Sequence, residues 1–225
     1  MPAIALPRTG PAPAPRGRIG TGFSPVPHRY HLYLSAGCPR SLRVTIALAL
    51  LGLEDSVTTT VLGADAASGR AGAAALRRAY EATGHHYDGR LTVPALCDTW
   101  SGRVVSNHTP DILDDLAVRL AGRPELRPPA PGAHTEAVRL LADGAAEPAG
   151  RQAALDELER RLTTHPYALG DRLTTADADL WVALTGAAAR LPQGPRVRAY
   201  VRGLCGHPAF RAAERDPALC AGWKR

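Results

Sequence analysis

The residues around Pro39 constrain the fold more than any others. Upstream, Tyr30-His31-Leu32-Tyr33-Leu34 alternates aromatic and aliphatic side chains and reads as a strand. Ser35-Ala36-Gly37 turns the chain. Pro39 suits the first turn of a helix, where its missing N–H costs nothing. Beyond it Leu42, Ile46, Ala49 and Leu50 recur at helical spacing, and Gly52 is placed to end that helix in the left-handed conformation. Residues 57–62, with their threonines, make a second strand, so the chain opens its ordered part with a strand–helix–strand unit.

The rest of the chain extends this pattern. After a Gly/Ala-rich stretch of weak signal, the spacing predicts a helix over 73–82, stopped by Gly84. Residues 91–98 read as a third strand; Pro94 inside it would demote a central strand, and an edge position or a cis bond rescues the assignment. A short fourth strand at 104–105 follows the turn at Ser101-Gly102. Thr109-Pro110 opens a helix with Ile112, Leu113, Leu116 and Leu120 on one face. Proline and glycine crowd residues 121–133, as in a linker. Helices are expected over 136–142, 151–162 and 195–204, and Thr174-Thr175-Ala176-Asp177 has the form of a capping box opening another, with Leu180, Trp181 and Leu184. This order predicts an α/β thioredoxin-like N-terminal domain over 28–120 and an all-α C-terminal domain over 134–225. A disordered Pro-rich arm is expected at 1–27.

Composition narrows the function. The net charge of +6 comes from 27 basic and 21 acidic residues, and Lys224 is the only lysine. The basic charge is scattered rather than gathered in a block, so a nucleic-acid partner is not expected; an arginine, alanine and glycine bias of this kind fits a GC-rich genome. No run approaches the roughly 18–20 apolar residues of a membrane span, and residues 1–27 lack the apolar core of a secretory signal. A cytoplasmic protein without a membrane partner is expected. Cys38, Cys97, Cys205 and Cys220 form no CxxC pair, which suits a reducing compartment. His85-His86 has no further ligand at metal spacing, so no metal is expected.

Cys38 is the sharpest chemical feature. It stands where a strand gives way to a helix, and unpaired N–H groups and the helix dipole favour negative charge there. A thiolate so placed has a lowered pKa and attacks disulfides or electrophilic carbon. Arg40 and Arg43 add positive charge, and Ser41 leaves the motif without a resolving cysteine, so an external thiol must recycle the site. In a thioredoxin-like domain a cis Pro94 would present the Val93 backbone to a bound tripeptide thiol as an added strand; a plain strand-end proline is the alternative. Thr109 can cap its helix, bind a ligand anion, or both. His28 and His31 give no triad pattern. Trp181, Cys97, Cys205 and Cys220 read as core residues.

Three segments resemble the glutathionyl-hydroquinone reductases, a class of glutathione transferases also compared with the omega class. Arg29-Tyr30-His31-Leu32-Tyr33-Leu34-Ser35-Ala36-Gly37-Cys38-Pro39 is similar to the family's strand, loop and catalytic cysteine. Tyr87-Asp88-Gly89-Arg90-Leu91-Thr92-Val93-Pro94-Ala95-Leu96 is similar to its cis-proline segment, and Val104-Val105-Ser106-Asn107 leads to the place of its Glu-Ser pair. Residues 167–177 resemble the capping segment of glutathione transferases generally. The resemblance implies the glutathione transferase fold, a homodimer, and a thiol site of Cys38, Arg40, Val93, Pro94, His108 and Thr109. The cosubstrate it implies is glutathione or another low-molecular-weight thiol such as mycothiol.

Three positions depart from the family. Arg40-Ser41-Leu42-Arg43 stands where it has Trp-Ala-His-Arg, His108-Thr109 where it has Glu-Ser, and Thr185-Gly186-Ala187 where it has Arg-Phe-Asp. The family's Glu helps hold the γ-glutamyl ammonium, so its replacement by His108 predicts weak glutathione binding. The function expected is a thiol-dependent oxidoreductase or transferase acting on a small electrophilic or thiol-conjugated, quinone-like substrate. An enzyme of specialised metabolism on the same fold (thiol addition, isomerisation or elimination) and a non-catalytic binding protein are the alternatives.

Overall fold

The computed structural model describes residues 13–63, 66–84, 87–127, 140–141, 148–186 and 194–213. Packing divides the chain into two units, one of Met1–Ala36 with Ser56–Ile112, the other of Gly37–Asp55 with Leu113–Arg225.

The first unit is built on a four-stranded mixed sheet. Its strands are β3 (Tyr30–Ser35), β4 (Val57–Leu62), β5 (Ala95–Asp98) and β6 (Arg103–Ser106), in the order β4-β3-β5-β6. β3 and β4 are parallel; β5 is antiparallel to both β3 and β6. Tyr30, Leu32 and Leu34 of β3 are buried, as the alternation requires. Helix α2 (Ala66–Thr83) covers the sheet and begins earlier than the sequence reading allows. The cause is Gly72. A Cβ there would lie 2.8 Å from Leu62 and 2.9 Å from Thr60, so glycine lets the helix approach β4. Read along the sequence, that same glycine belongs to a stretch of weak signal.

Two further expectations change in this unit. β5 starts at Ala95 rather than at residue 91, because Thr92 gives both its backbone N–H and its C=O to the Tyr80 hydroxyl instead of to a strand. Part of the stretch expected to be a disordered arm is built into the unit. Arg18–Ile19 (β1) pairs with Gly22–Phe23 (β2), and Arg16 bridges to Ser106 at the edge of β6. Ile19 is buried, which anchors the segment.

The second unit is helical. It comprises α1 (Pro39–Leu51), α4 (Pro148–Arg161), α5 (Thr175–Thr185), α6 (Pro195–Gly206) and α7 (Pro208–Ala213). The last of these was not expected from sequence. Helix α3 (Thr109–Asp114) runs on into a π-helical turn at Asp115–Leu120. Ile46 of α1 joins the core formed by Trp181, Leu180, Leu184, Val201 and Phe210, all fully buried. The Asp177 carboxylate knits this core together. It accepts the Thr174 N–H at 2.8 Å, the Ala168 N–H at 3.0 Å and the Tyr200 hydroxyl at 2.7 Å. The helix expected at 136–142 lies mostly outside the described residues, as do positions 128–133 of the expected linker.

A buried ion pair fixes the sheet's far end. The Arg29 guanidinium grips Asp98 through Nε at 2.5 Å and Nη2 at 3.1 Å, and the Ser101 N–H and hydroxyl also donate to that carboxylate. Burial would push the Asp98 carboxyl up; Arg29 and Ser101 outweigh it and hold it at about 2, against 3.8 ordinarily. A depressed folded value means the unfolded chain binds the proton more tightly. The pair's stabilisation is therefore complete above the unfolded value and is lost as pH falls through it toward about 2. We expect the melting temperature of Asp98→Asn to be lower than wild type at neutral pH and the gap to close on acidification. A gap that does not narrow contradicts this assignment.

Candidate functional site

Cys38 holds the N-cap position of α1 with φ −82° and ψ 116°, and Pro39 follows in the first turn. The residue is partly exposed, and no acidic side chain lies in that turn. Burial raises the thiol. The N–H and hydroxyl of Ser41, the N–H of Arg40 and the Arg40 charge outweigh burial, and the thiol titrates below its ordinary value. As a neutral thiol it forms no capping bond. The surrounding donors favour the charged sulfur, which is the condition for a lowered pKa. Arg43 takes no part: its guanidinium pairs with Asp179 of α5 at 3.3 Å. Ser41, 2 % exposed, replaces it as the second contributor beside Arg40.

Val93 and Pro94 lie in the loop before β5, and the bond between them is cis; of the two ways the sequence left open, the cis bond is found and the edge position is not, since β5 lies inside the sheet. Thr92 is pinned from three directions. The buried Tyr80 hydroxyl donates to its carbonyl at 3.0 Å and accepts its N–H at 3.3 Å, and the Asn107 side-chain amide donates to its hydroxyl at 2.9 Å. Asn107 also donates to the Tyr80 hydroxyl at 2.9 Å. One phenol thus fixes the loop carrying Val93 to the loop carrying His108. Among the described residues neither the N–H nor the C=O of Val93 has a hydrogen-bond partner. Neither Tyr80 nor Asn107 was singled out from sequence for a site role; a tyrosine within the Ala- and Arg-rich run of α2 was the available signal.

Thr109 does not cap its helix. It is the first residue of α3, and the His108 carbonyl accepts the Ile112 N–H at 3.0 Å. Its hydroxyl is buried and has no hydrogen-bond partner. The His108 ring stands 3.2 Å from Asp111 one turn along. Asp111 is also gripped by Arg16, through Nε at 2.5 Å and Nη2 at 3.2 Å, with Arg18 at 3.8 Å. Nothing in the sequence ties residues 95 positions apart, and neither Arg16 nor Asp111 was identified there.

The remaining candidates are structural. Cys97 is buried beside Asp98, and burial foremost pushes its thiol up to about 12, the opposite direction to Cys38. Cys205 is disulfide-bonded, where the sequence reading expected a free core thiol; the buried Trp181 indole N–H points at its sulfur from 3.4 Å. The His31 ring nitrogens lie 2.7 and 3.0 Å from the hydroxyls of Thr58 and Thr60. His85-His86 and Cys220 fall outside the described residues. Among the described residues no three His, Cys, Asp or Glu side chains gather as a metal site, and no helix is long and apolar enough to cross a membrane.

Comparison with known proteins bears on the family and the fold. The family described as glutathione S-transferase, C-terminal domain, matches residues 148–203. The glutathionyl-hydroquinone reductase PcpF of Sphingobium chlorophenolicum is 30% identical over 209 residues, 75% of this chain and 66% of that protein. Its counterpart YqjG of Escherichia coli K12 is 30% identical over 213 residues, 77% of this chain and 63% of that protein. The chain therefore spans somewhat less than two thirds of the length of these relatives. Among solved structures, the glutathione S-transferase Xi of Phanerochaete chrysosporium superposes with a TM-score of 0.68 at 24% identity, covering 96% of this chain and 87% of that one. Glutathione-bound YqjG superposes with a TM-score of 0.64 at 22% identity, covering 91% and 82%. The chain belongs to the glutathione transferase superfamily.

Alkylation rate against pH reads the Cys38 thiolate directly. We expect half-maximal reactivity below the unperturbed value of about 8.5. Ser41→Ala, which deletes a hydroxyl donor, should raise the midpoint, whereas Arg43→Gln should leave it in place. A midpoint unmoved by Ser41→Ala contradicts the assigned cause.

Proposed function

We propose that this protein is a thiol-dependent reductase or transferase in which Cys38 is the nucleophile. The observation that carries the reading is the lowered thiol at the N-terminus of α1, in a chain related to glutathionyl-hydroquinone reductases. Arg40 supports the charged sulfur. Val93, with an unused backbone N–H and C=O, pairs with the extended backbone of the cosubstrate thiol, and the adjoining Pro94 ends that loop. The unpartnered Thr109 hydroxyl donates to the thiol's terminal carboxylate, beside His108. That the Escherichia coli relative is known with glutathione bound favours glutathione or a similar low-molecular-weight thiol as cosubstrate.

The substrate is a thiol conjugate of a hydroquinone or a like electrophile. The Cys38 thiolate attacks the conjugate's sulfur. A sulfur–sulfur bond forms, the carbon–sulfur bond breaks, and its electron pair passes to the ring carbon, which takes a proton to give the free hydroquinone. A second thiol, as thiolate, then attacks the mixed disulfide, leaves as a disulfide with the first, and returns the Cys38 thiolate. The electrons balance: one thiol and the conjugate's sulfur end as one disulfide, and the ring carbon is reduced from C–S to C–H. The reading includes a homodimer in the cytoplasm. The substitutions at positions 40 and 108 favour a second reading, an enzyme of specialised metabolism that uses the same cysteine on another electrophile.

Steady-state kinetics with a glutathionyl-hydroquinone tests the proposal. Cys38→Ser should lower kcat on the order of a thousandfold. Thr109→Val should raise the KM for thiol about ten- to a hundredfold, the loss of one charge-assisted hydrogen bond, with a smaller change in kcat. Full activity in Cys38→Ser means the thiol cosubstrate itself is the activated nucleophile. A conjugate that is never turned over, with Cys38 still reactive toward other electrophiles, supports the second reading.

A further inference from the structure

Position 108 holds an imidazole where the resembled family has a carboxylate, and the neighbouring carboxylate in the same helix turn is Asp111. Asp111 is the only acidic residue in the first turn of α3, and its Oδ1 stands 3.2 Å from the His108 ring. It is not free to receive a ligand ammonium, because the N-terminal arm occupies it. Arg16 meets it with two nitrogens at 2.5 and 3.2 Å, and Arg18 approaches to 3.8 Å. The arm is held to this place by its backbone. The Gly17 N–H donates to the Val105 carbonyl at 2.8 Å, and the Asn107 N–H donates to the Pro15 carbonyl at 3.3 Å. Only glycine permits that approach, since a Cβ at position 17 would sit 2.8 Å from the Val105 oxygen.

Among the described residues, the charged groups that meet at Asp111 are the Arg16 and Arg18 guanidiniums, with the His108 imidazole beside them. Without counting His108 the sum is one positive charge, from Arg16 and Arg18 against Asp111. Such a field attracts an anion toward the helix turn and opposes an ammonium. Both arginines are partly exposed, with 55% and 37% of their side-chain surface in solvent, so screening keeps the effect moderate and salt-dependent.

We propose that Arg16 and Arg18, by occupying Asp111, set the charge preference of the thiol site: a thiol whose anchoring end carries a carboxylate and no adjacent ammonium binds more tightly than one that, like glutathione, carries both. This rests on the reading of Thr109 as the anchor for the thiol's carboxylate. The arm is then a specificity determinant, and deleting its charges frees Asp111 to serve as the ammonium acceptor.

Calorimetric titration with glutathione and with its des-amino analogue, identical but for the ammonium, separates the possibilities. Wild type should bind the des-amino analogue more tightly, and the preference should shrink as salt rises. In Arg16→Gln/Arg18→Gln the ratio of the two dissociation constants should shift toward glutathione by about fivefold. Gly17→Ala, which displaces the arm by sterics alone, should shift it the same way, and Asp111→Asn should shift it the other way. An unchanged ratio in the arginine variant, with both thiols still binding, overturns the inference and leaves the thiol site standing. Binding of neither thiol to wild type overturns the site and the inference together.

Discussion

A helix that starts directly after a buried strand exposes N–H groups that no backbone carbonyl can satisfy, and the chemistry proposed for this protein depends on what fills that place. β3 delivers the chain to Gly37, and Pro39 begins α1 without needing a hydrogen bond of its own. Cys38 is left facing the N–H groups of Arg40 and Ser41. An ordinary thiol gains little from them; a thiolate gains a great deal. Cys97 shows what the same side chain becomes elsewhere in the fold. Buried in β5 beside the Asp98 carboxylate, it is driven to hold its proton. Backbone position, more than residue type, decides which cysteine carries reactivity.

The second requirement is that the groups proposed to hold a thiol keep still. Val93 and His108 lie on separate loops, and loops move unless something ties them. The Tyr80 hydroxyl does this from a rigid helix, engaging Thr92 twice and Asn107 once. It leaves the Val93 backbone and the Thr109 hydroxyl without partners. Unsatisfied polar groups beside a fully satisfied network are what a preformed ligand site looks like, since their partner arrives with the ligand. The arm adds a layer to this turn, where Arg16 and Arg18 engage Asp111 and, in the proposal above, set which charges are welcome.

What was legible in the sequence was local. The alternation of residues 30–34, the Cys-Pro junction, the strand at 57–62 and the cis proline each follow from a few adjacent residues, and each is found in place. What escaped was set by distant partners. The first half of α2 gives only a weak signal in the sequence because Gly72 serves a contact with β4 that is invisible along the chain. β5 is shorter than its apolar run because a phenol on α2 claims Thr92. For Thr109 the Thr-Pro start signal leaves capping, anion binding or both open; the helix begins at the threonine itself and leaves its hydroxyl without a partner. The arm at residues 15–19 looked featureless, since its role depends on an edge strand and an aspartate far along the chain. The Cys205 disulfide had no spacing signature to announce it.

The central claim is that Cys38 forms a covalent bond to the sulfur of the substrate conjugate. Intact-protein mass spectrometry after mixing with a glutathionyl-hydroquinone, with no free thiol present, tests it most directly. The account predicts one glutathione adduct per chain, mapped to Cys38, appearing in step with an equal amount of free hydroquinone. Hydroquinone released without an adduct, or as fast from Cys38→Ser as from wild type, would contradict it.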